Sequence, residues 1–131
     1  MEGIIVRRLA FCLGAAALLA TAAAADEPFK RTILQRSDVN AAQESVMGTG
    51  ELMPGAVIER HTHHGVEMTY IQEGEVEVLV EGEAPKRLKA GDAFMIPAGK
   101  IHSARNVSPG TSKMLGVWIV EKGKPLAVPA N

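Results

Sequence analysis

From residue 46 onward the chain breaks into short apolar-rich runs. The clearest is 75–81, where Val76, Val78 and Val80 point one way and Glu75, Glu77 and Glu81 the other. A two-residue period of this kind belongs to a strand with one buried face. Comparable runs, rich in β-branched and aliphatic residues, cover 46–53, 56–63, 67–72, 87–88, 93–96, 102–106 and 114–121. Between them stand turn-forming pairs such as Pro54-Gly55, His64-Gly65, Glu73-Gly74 and Gly91-Asp92. No stretch after residue 25 keeps a helical period of useful length. Residues 26–45 are mixed and polar and read as an extended N-terminal arm ending in a short strand. Short strands, tight turns and no crossover helix predict an all-β sandwich or jelly roll over 46–131.

The first 25 residues follow a different rule. Arg7 and Arg8 precede an apolar stretch from 9 to 20, and Ala23-Ala24-Ala25 offers a small-residue cleavage site. That is the layout of a secretory signal peptide cleaved after Ala25, too short and wrongly flanked for a membrane span. The expected location is therefore outside the cytoplasm, in a bacterial periplasm. The Arg-Arg pair fits a twin-arginine signal only loosely, and ordinary Sec export is the better match. Cleavage removes Glu2, Arg7 and Arg8, which leaves the remainder slightly more acidic than the whole chain's formal net charge of −1. No basic patch is left to hold nucleic acid or an anionic membrane. The single cysteine, Cys12, leaves with the signal, so no disulfide is expected. A small exported domain without disulfides must rely on its core, on subunit association or on a metal.

The chemistry concentrates in two blocks. Gly55, His61, His63, Glu67 and Gly74 form the first; Gly91, Pro97, Gly99, His102 and Asn106 form the second. His61 and His63 lie two apart and share a strand face. The turn at His64-Gly65 is expected to reverse the chain onto the adjacent strand and bring Glu67 back toward them. His102 arrives later, after the turn at 97–99. Three imidazoles and a carboxylate suit one divalent first-row metal ion per monomer: iron, manganese, nickel, copper or zinc. The fourth histidine, His64, reads as a rim residue outside the ligand set. The four glycines read as turn residues, Pro97 as a fixed turn, and Asn106 as a structural side chain bonded to backbone or to a neighbouring loop.

Both blocks match the two motifs of the cupin superfamily without a departure, and the chain resembles that superfamily from about 46 to 120. The resemblance implies a double-stranded β-helix barrel with His61, His63, Glu67 and His102 as metal ligands. It also implies a homodimer formed through sheet edges and N-terminal arms, so that 26–45 could reach a partner. It leaves the reaction open, because the fold hosts oxygenases, lyases, decarboxylases and binding proteins.

Two functional classes follow. One is a metal-dependent oxidoreductase, dioxygenase-like, or a related lyase or decarboxylase, acting on a small organic substrate. Glu67 could there leave the metal and act as a base, as the equivalent glutamate is thought to in quercetinase-like cupins. The other is a non-catalytic periplasmic protein that binds a small ligand or a metal complex. Tyr70 lies at odd spacing from Glu67 and is expected on the opposite face. Trp118 shares a face with Met114, Gly116 and Val120 and reads as core. Thr69 and Gln72 are candidates to face the cavity; Arg60 and Arg105 would reach it only through irregular strands. An apolar or aromatic small substrate is expected.

Overall fold

The computed structural model describes residues 27–131, and the signal peptide expected at 1–25 lies outside them. Ten strands and no helix occur among the described residues. They are β1 (Phe29–Asp38), β2 (Gln43–Leu52), β3 (Val57–Thr62), β4 (Gly65–Glu73), β5 (Glu75–Val80), β6 (Lys86–Lys89), β7 (Ala93–Ile96), β8 (His102–Asn106), β9 (Ser112–Glu121) and β10 (Val128–Pro129). They form two antiparallel five-stranded sheets, ordered β1-β2-β9-β4-β7 and β10-β3-β8-β5-β6. From β3 to β5 and again from β6 to β10, each strand lies in the sheet opposite its predecessor. The chain thus winds as a flattened helix of strands, the expected double-stranded β-helix, or jelly roll.

Alternation decides what lies between the sheets. Val76, Val78 and Val80 are buried while Leu79 is exposed. They pack with Leu52, Ile71, Ile96 and Met114 in the main core. A smaller cluster of Val46, Trp118 and Val120 lies under Leu126 of the C-terminal segment. No helix of the described residues is long and apolar enough to cross a membrane.

Two expectations need correction, and one strand goes beyond the sequence reading. The arm is a ten-residue strand, β1, paired with β2 from Phe29↔Leu52 to Asp38↔Glu44 and bulged between Ile33 and Gln35. Being an edge strand that is mostly exposed, it carries no alternation to read; only Phe29 and Arg31 are partly buried. The turn at His64-Gly65 does not make a hairpin. β3 pairs with β8 and β10, whereas β4 pairs with β9 and β7, so the turn carries the chain across to the other sheet. The short β10 pairs Val128 with Thr62 and Pro129 with His61, and two residues are too few to show a period.

Candidate metal centre

The crossing places the four expected ligands on facing walls. His61 and His102 are register partners on β3 and β8. Glu67 and Trp118 are register partners on β4 and β9 in the opposite sheet. His63 follows the end of β3, where the chain begins to cross. All four ligand residues are buried, and one donor atom from each falls within 4.8 Å of the others. His61 and His102 lie with ring centroids 4.2 Å apart and planes tilted by 52°, and His63 meets His61 edge-on at 4.8 Å.

The backbone fixes the orientation of each ring. Nδ1 of His61 donates to the carbonyl of Glu59 at 2.7 Å, Nδ1 of His102 to that of Lys100 at 2.9 Å, and Nδ1 of His63 to that of Leu126. A carbonyl only accepts, so each Nδ1 carries a proton, and each ring, when neutral, turns the lone pair of Nε2 inward. Glu67 Oε2 then lies 2.7 Å from Nε2 of His63 and 3.2 Å from Nε2 of His102. Lone pairs meeting at such distances need a proton or a metal ion between them. This outer ring of hydrogen bonds is also the usual support of metal-bound imidazoles. The donor set therefore fits a divalent first-row ion.

Two further side chains hold Glu67. Thr69 donates to Oε1 at 2.7 Å, and the indole N–H of Trp118 donates to Oε2 at 3.1 Å. Burial alone would raise the carboxyl's pKa, but hydrogen bonds from His102, His63 and Thr69 outweigh it and hold Glu67 well below the usual carboxylate range. Burial lowers the pKa of His61 to about 4. At His102 burial acts in the same direction, but the hydrogen bond to Glu67 prevails and the pKa is raised.

Trp118 turns back over Gly116, where an added Cβ would stand 2.4 Å from Cη2 of the indole. The sequence placed Trp118 correctly on the buried face of β9 but not as a hydrogen-bond donor to the site. The available signal was chemical: a buried indole N–H needs an acceptor.

The remaining candidates sort cleanly. Thr69 faces the cavity, while Gln72, Arg60 and Arg105 are exposed. Arg60 pairs with Glu81 and Arg105 with Glu77. Tyr70 is 47% exposed on the outer face of its sheet, and His64 is exposed and outside the ligand cluster. Asn106 is structural as expected, donating to the carbonyls of Leu52, Met53 and Gly110.

The cavity in front of the ligands is walled mostly by Phe29, Ile58, Val78, Phe94 and Met114. It leaves ≈ 30 Å³ for the centres of water-sized molecules, room for about two waters. Apart from the ligands, the wall is mostly apolar, as expected; Thr49, Thr69 and Arg31 are its polar members, and Arg31 of β1 is the one that no periodicity marked.

Residues 48–120 match the model of the cupin domain family, and the chain belongs to that family. No curated protein is detectably similar in sequence. Among solved structures it is similar to an uncharacterized conserved protein with a double-stranded β-helix domain from Klebsiella pneumoniae, at 23% identity and TM-score 0.67, covering 82% of this chain and 89% of that one. It is also similar to the DMSP lyase DddQ of Ruegeria pomeroyi, at 23% identity and TM-score 0.66, covering 79% of this chain and 52% of that one. KdgF from Halomonas sp. shares 26% identity at TM-score 0.57, with 70% and 78% covered. Fold and ligand cluster together define a metal-binding cupin.

Proposed function

We propose that this chain is an exported, metal-dependent enzyme of the periplasm, acting on a small organic molecule by dioxygenase, lyase or decarboxylase chemistry. The observation that carries the reading is the convergence of three Nε2 lone pairs and one carboxylate oxygen within 4.8 Å, beside a cavity open to a small molecule. Bound there, one divalent ion supplies Lewis acidity and, if redox-active, a means of activating dioxygen. That the related DddQ fold carries a lyase supports an enzyme reading without naming the reaction.

His61, His63, Glu67 and His102 would hold the ion, while Thr69 and Trp118 orient the carboxylate. The apolar wall excludes water from the substrate. Glu67 is held anionic, which suits a ligand; to take a proton from substrate it must first give up one of its hydrogen bonds. Tyr70, on the outer face, takes no part. The protein also pairs with a second copy, through the outer face of the sheet that contains β4.

Elemental analysis of the protein isolated from periplasm, per monomer and without added metal, tests the reading. Near-stoichiometric first-row metal is expected, lost in His61→Ala and His102→Ala and retained in His64→Ala. Turnover of a small-molecule panel by the loaded protein, with oxygen uptake followed, then separates oxygenase from lyase. A protein that neither holds nor takes up metal refutes the reading. One that binds metal but turns over nothing is a binding protein.

A further inference from the structure

Five arginines lie among the described residues, and four have carboxylate partners: Arg36 with Glu44, Arg60 with Glu81, Arg87 with Glu75 and Glu77, and Arg105 with Glu77. Arg31 has no such partner among the described residues, although it is the partly buried one. β1 carries it into the wall of the metal-site cavity, opposite Gly50 in the strand register. Its guanidinium carbon lies 5.4 Å from the ring centroid of Phe29 and 5.5 Å from that of Trp118. The two rings steady the group by cation–π attraction without using any of its N–H donors.

Glu67 is the one acidic residue in the cavity lining. Both its oxygens are engaged by Thr69, Trp118, His63 and His102. Its field reaches Arg31, partly opposing the effect of burial on that group, but it is not available as an ion-pair partner. An arginine stays charged even when burial disfavours it. A divalent ion with one carboxylate and three neutral imidazoles adds a further net positive charge. The cavity therefore presents two centres of positive charge, in apolar walls that strengthen both.

We propose that Arg31 is the specificity-determining residue of the site and that the substrate is a small carboxylic acid, its carboxylate on Arg31 and a second oxygen directed at the metal. The planar fork of N–H donors matches two coplanar carboxylate oxygens, and the narrow cavity limits the acid to a few heavy atoms. This deepens the metal-enzyme reading and rests on it for the second contact only; the contact at Arg31 needs no metal.

Trp118 is the only tryptophan of the chain, so its fluorescence reports occupancy of this cavity. Titrations of the metal-free and metal-loaded protein would use acetate and glycolate against acetamide and glycolamide, isosteric but neutral. Saturable binding of the acids is expected, at least tenfold tighter than that of the amides, in both forms and tighter in the loaded one. Arg31→Met should weaken acid binding by about 10- to 100-fold, leaving amide binding and metal stoichiometry unchanged. Arg31→Lys should recover part of the loss and serves if the methionine variant fails to fold. Equal affinity for acids and amides, no saturable acid binding, or an undiminished Arg31→Met overturns the proposal. Absence of metal with acid binding intact would instead sink the metal reading and leave Arg31 as an anion site.

Discussion

A histidine ring has two nitrogens, and in this chain the backbone decides which carries the proton. His61, His63 and His102 each spend Nδ1 on a carbonyl, which leaves three Nε2 atoms beside one carboxylate. The rings then differ in how hard they hold a second proton. His61, lowered by burial to about 4, stays neutral and ready to ligate in mild acid. Its depressed value gives the metal-free protein stability that is complete above pH 6.5 and lost as pH falls toward 4. His102, raised above 6.5 by Glu67, acts in the opposite sense: its contribution is complete below 6.5 and is lost as pH rises through the raised value. A metal must therefore displace the proton shared by His102 and Glu67. Affinity should fall about tenfold per pH unit as pH drops below that raised value. Calorimetric titrations with zinc at pH 6, in buffers of different ionisation enthalpy, should show a proton released on binding, and less release as pH rises through the raised value. If none is released, His102 is not the group that competes with the metal.

At the scale of elements, the second block of the sequence ends on a clamp. The amide of Asn106 donates to Leu52, Met53 and Gly110, and its Oδ1 accepts from the backbone N–H of Ser108 at 2.8 Å and from Ser112 Oγ at 2.8 Å. One side chain thus ties the end of β2 to β8 and to the turn into β9. Asn106→Ala leaves several buried polar groups without partners, each costing about 1–3 kcal/mol. A loss of roughly 2–4 kcal/mol in urea unfolding is expected, with metal stoichiometry intact because no ligand moves. Loss of metal at unchanged stability would show that Asn106 acts on the site instead. This clamp was legible because a buried asparagine after a strand must bond to backbone. So were the clustering of His61, His63, Glu67 and His102, two of them set by strand parity, and the motif glycines, all at positive φ, as at Gly74 with φ 78°. What stayed hidden depended on partners distant in sequence. β1 is mostly exposed and shows no period. Arg31 becomes unusual only when Phe29, Trp118 and the cavity surround it. The His64-Gly65 turn looks the same whether it makes a hairpin or a crossing, since both put Glu67 near the imidazoles.

For the whole molecule, the two outer faces differ. On the sheet containing β5, Glu75, Glu77, Arg87 and Arg105 make a lattice of exposed ion pairs, a surface suited to water. On the other sheet, one register row runs Met47, Val117, Met68, Met95 and the next runs Thr49, Leu115, Tyr70, Ala93. No charge interrupts either row. Met68 is 41% exposed, Tyr70 47% and Met95 63%, and they border a shallow apolar depression with Phe94, Leu115 and Val117. A continuous apolar face across four strands is unusual on a monomer. A two-fold axis through it would lay each row on its own copy, a self-complementary contact with no charge left to desolvate. The homodimer we propose would then meet through this sheet face, and β1 is already paired along β2 of its own chain. Met68→Glu combined with Met95→Glu puts like charges against each other across such an axis and should weaken dimerisation at least 100-fold. Sedimentation velocity over a range of micromolar concentrations should show a dimer for the unaltered protein and a monomer for the variant. Metal content should not change, because Met68 points away from the site that Glu67 faces. An unaltered protein that sediments as a monomer throughout would remove the dimer.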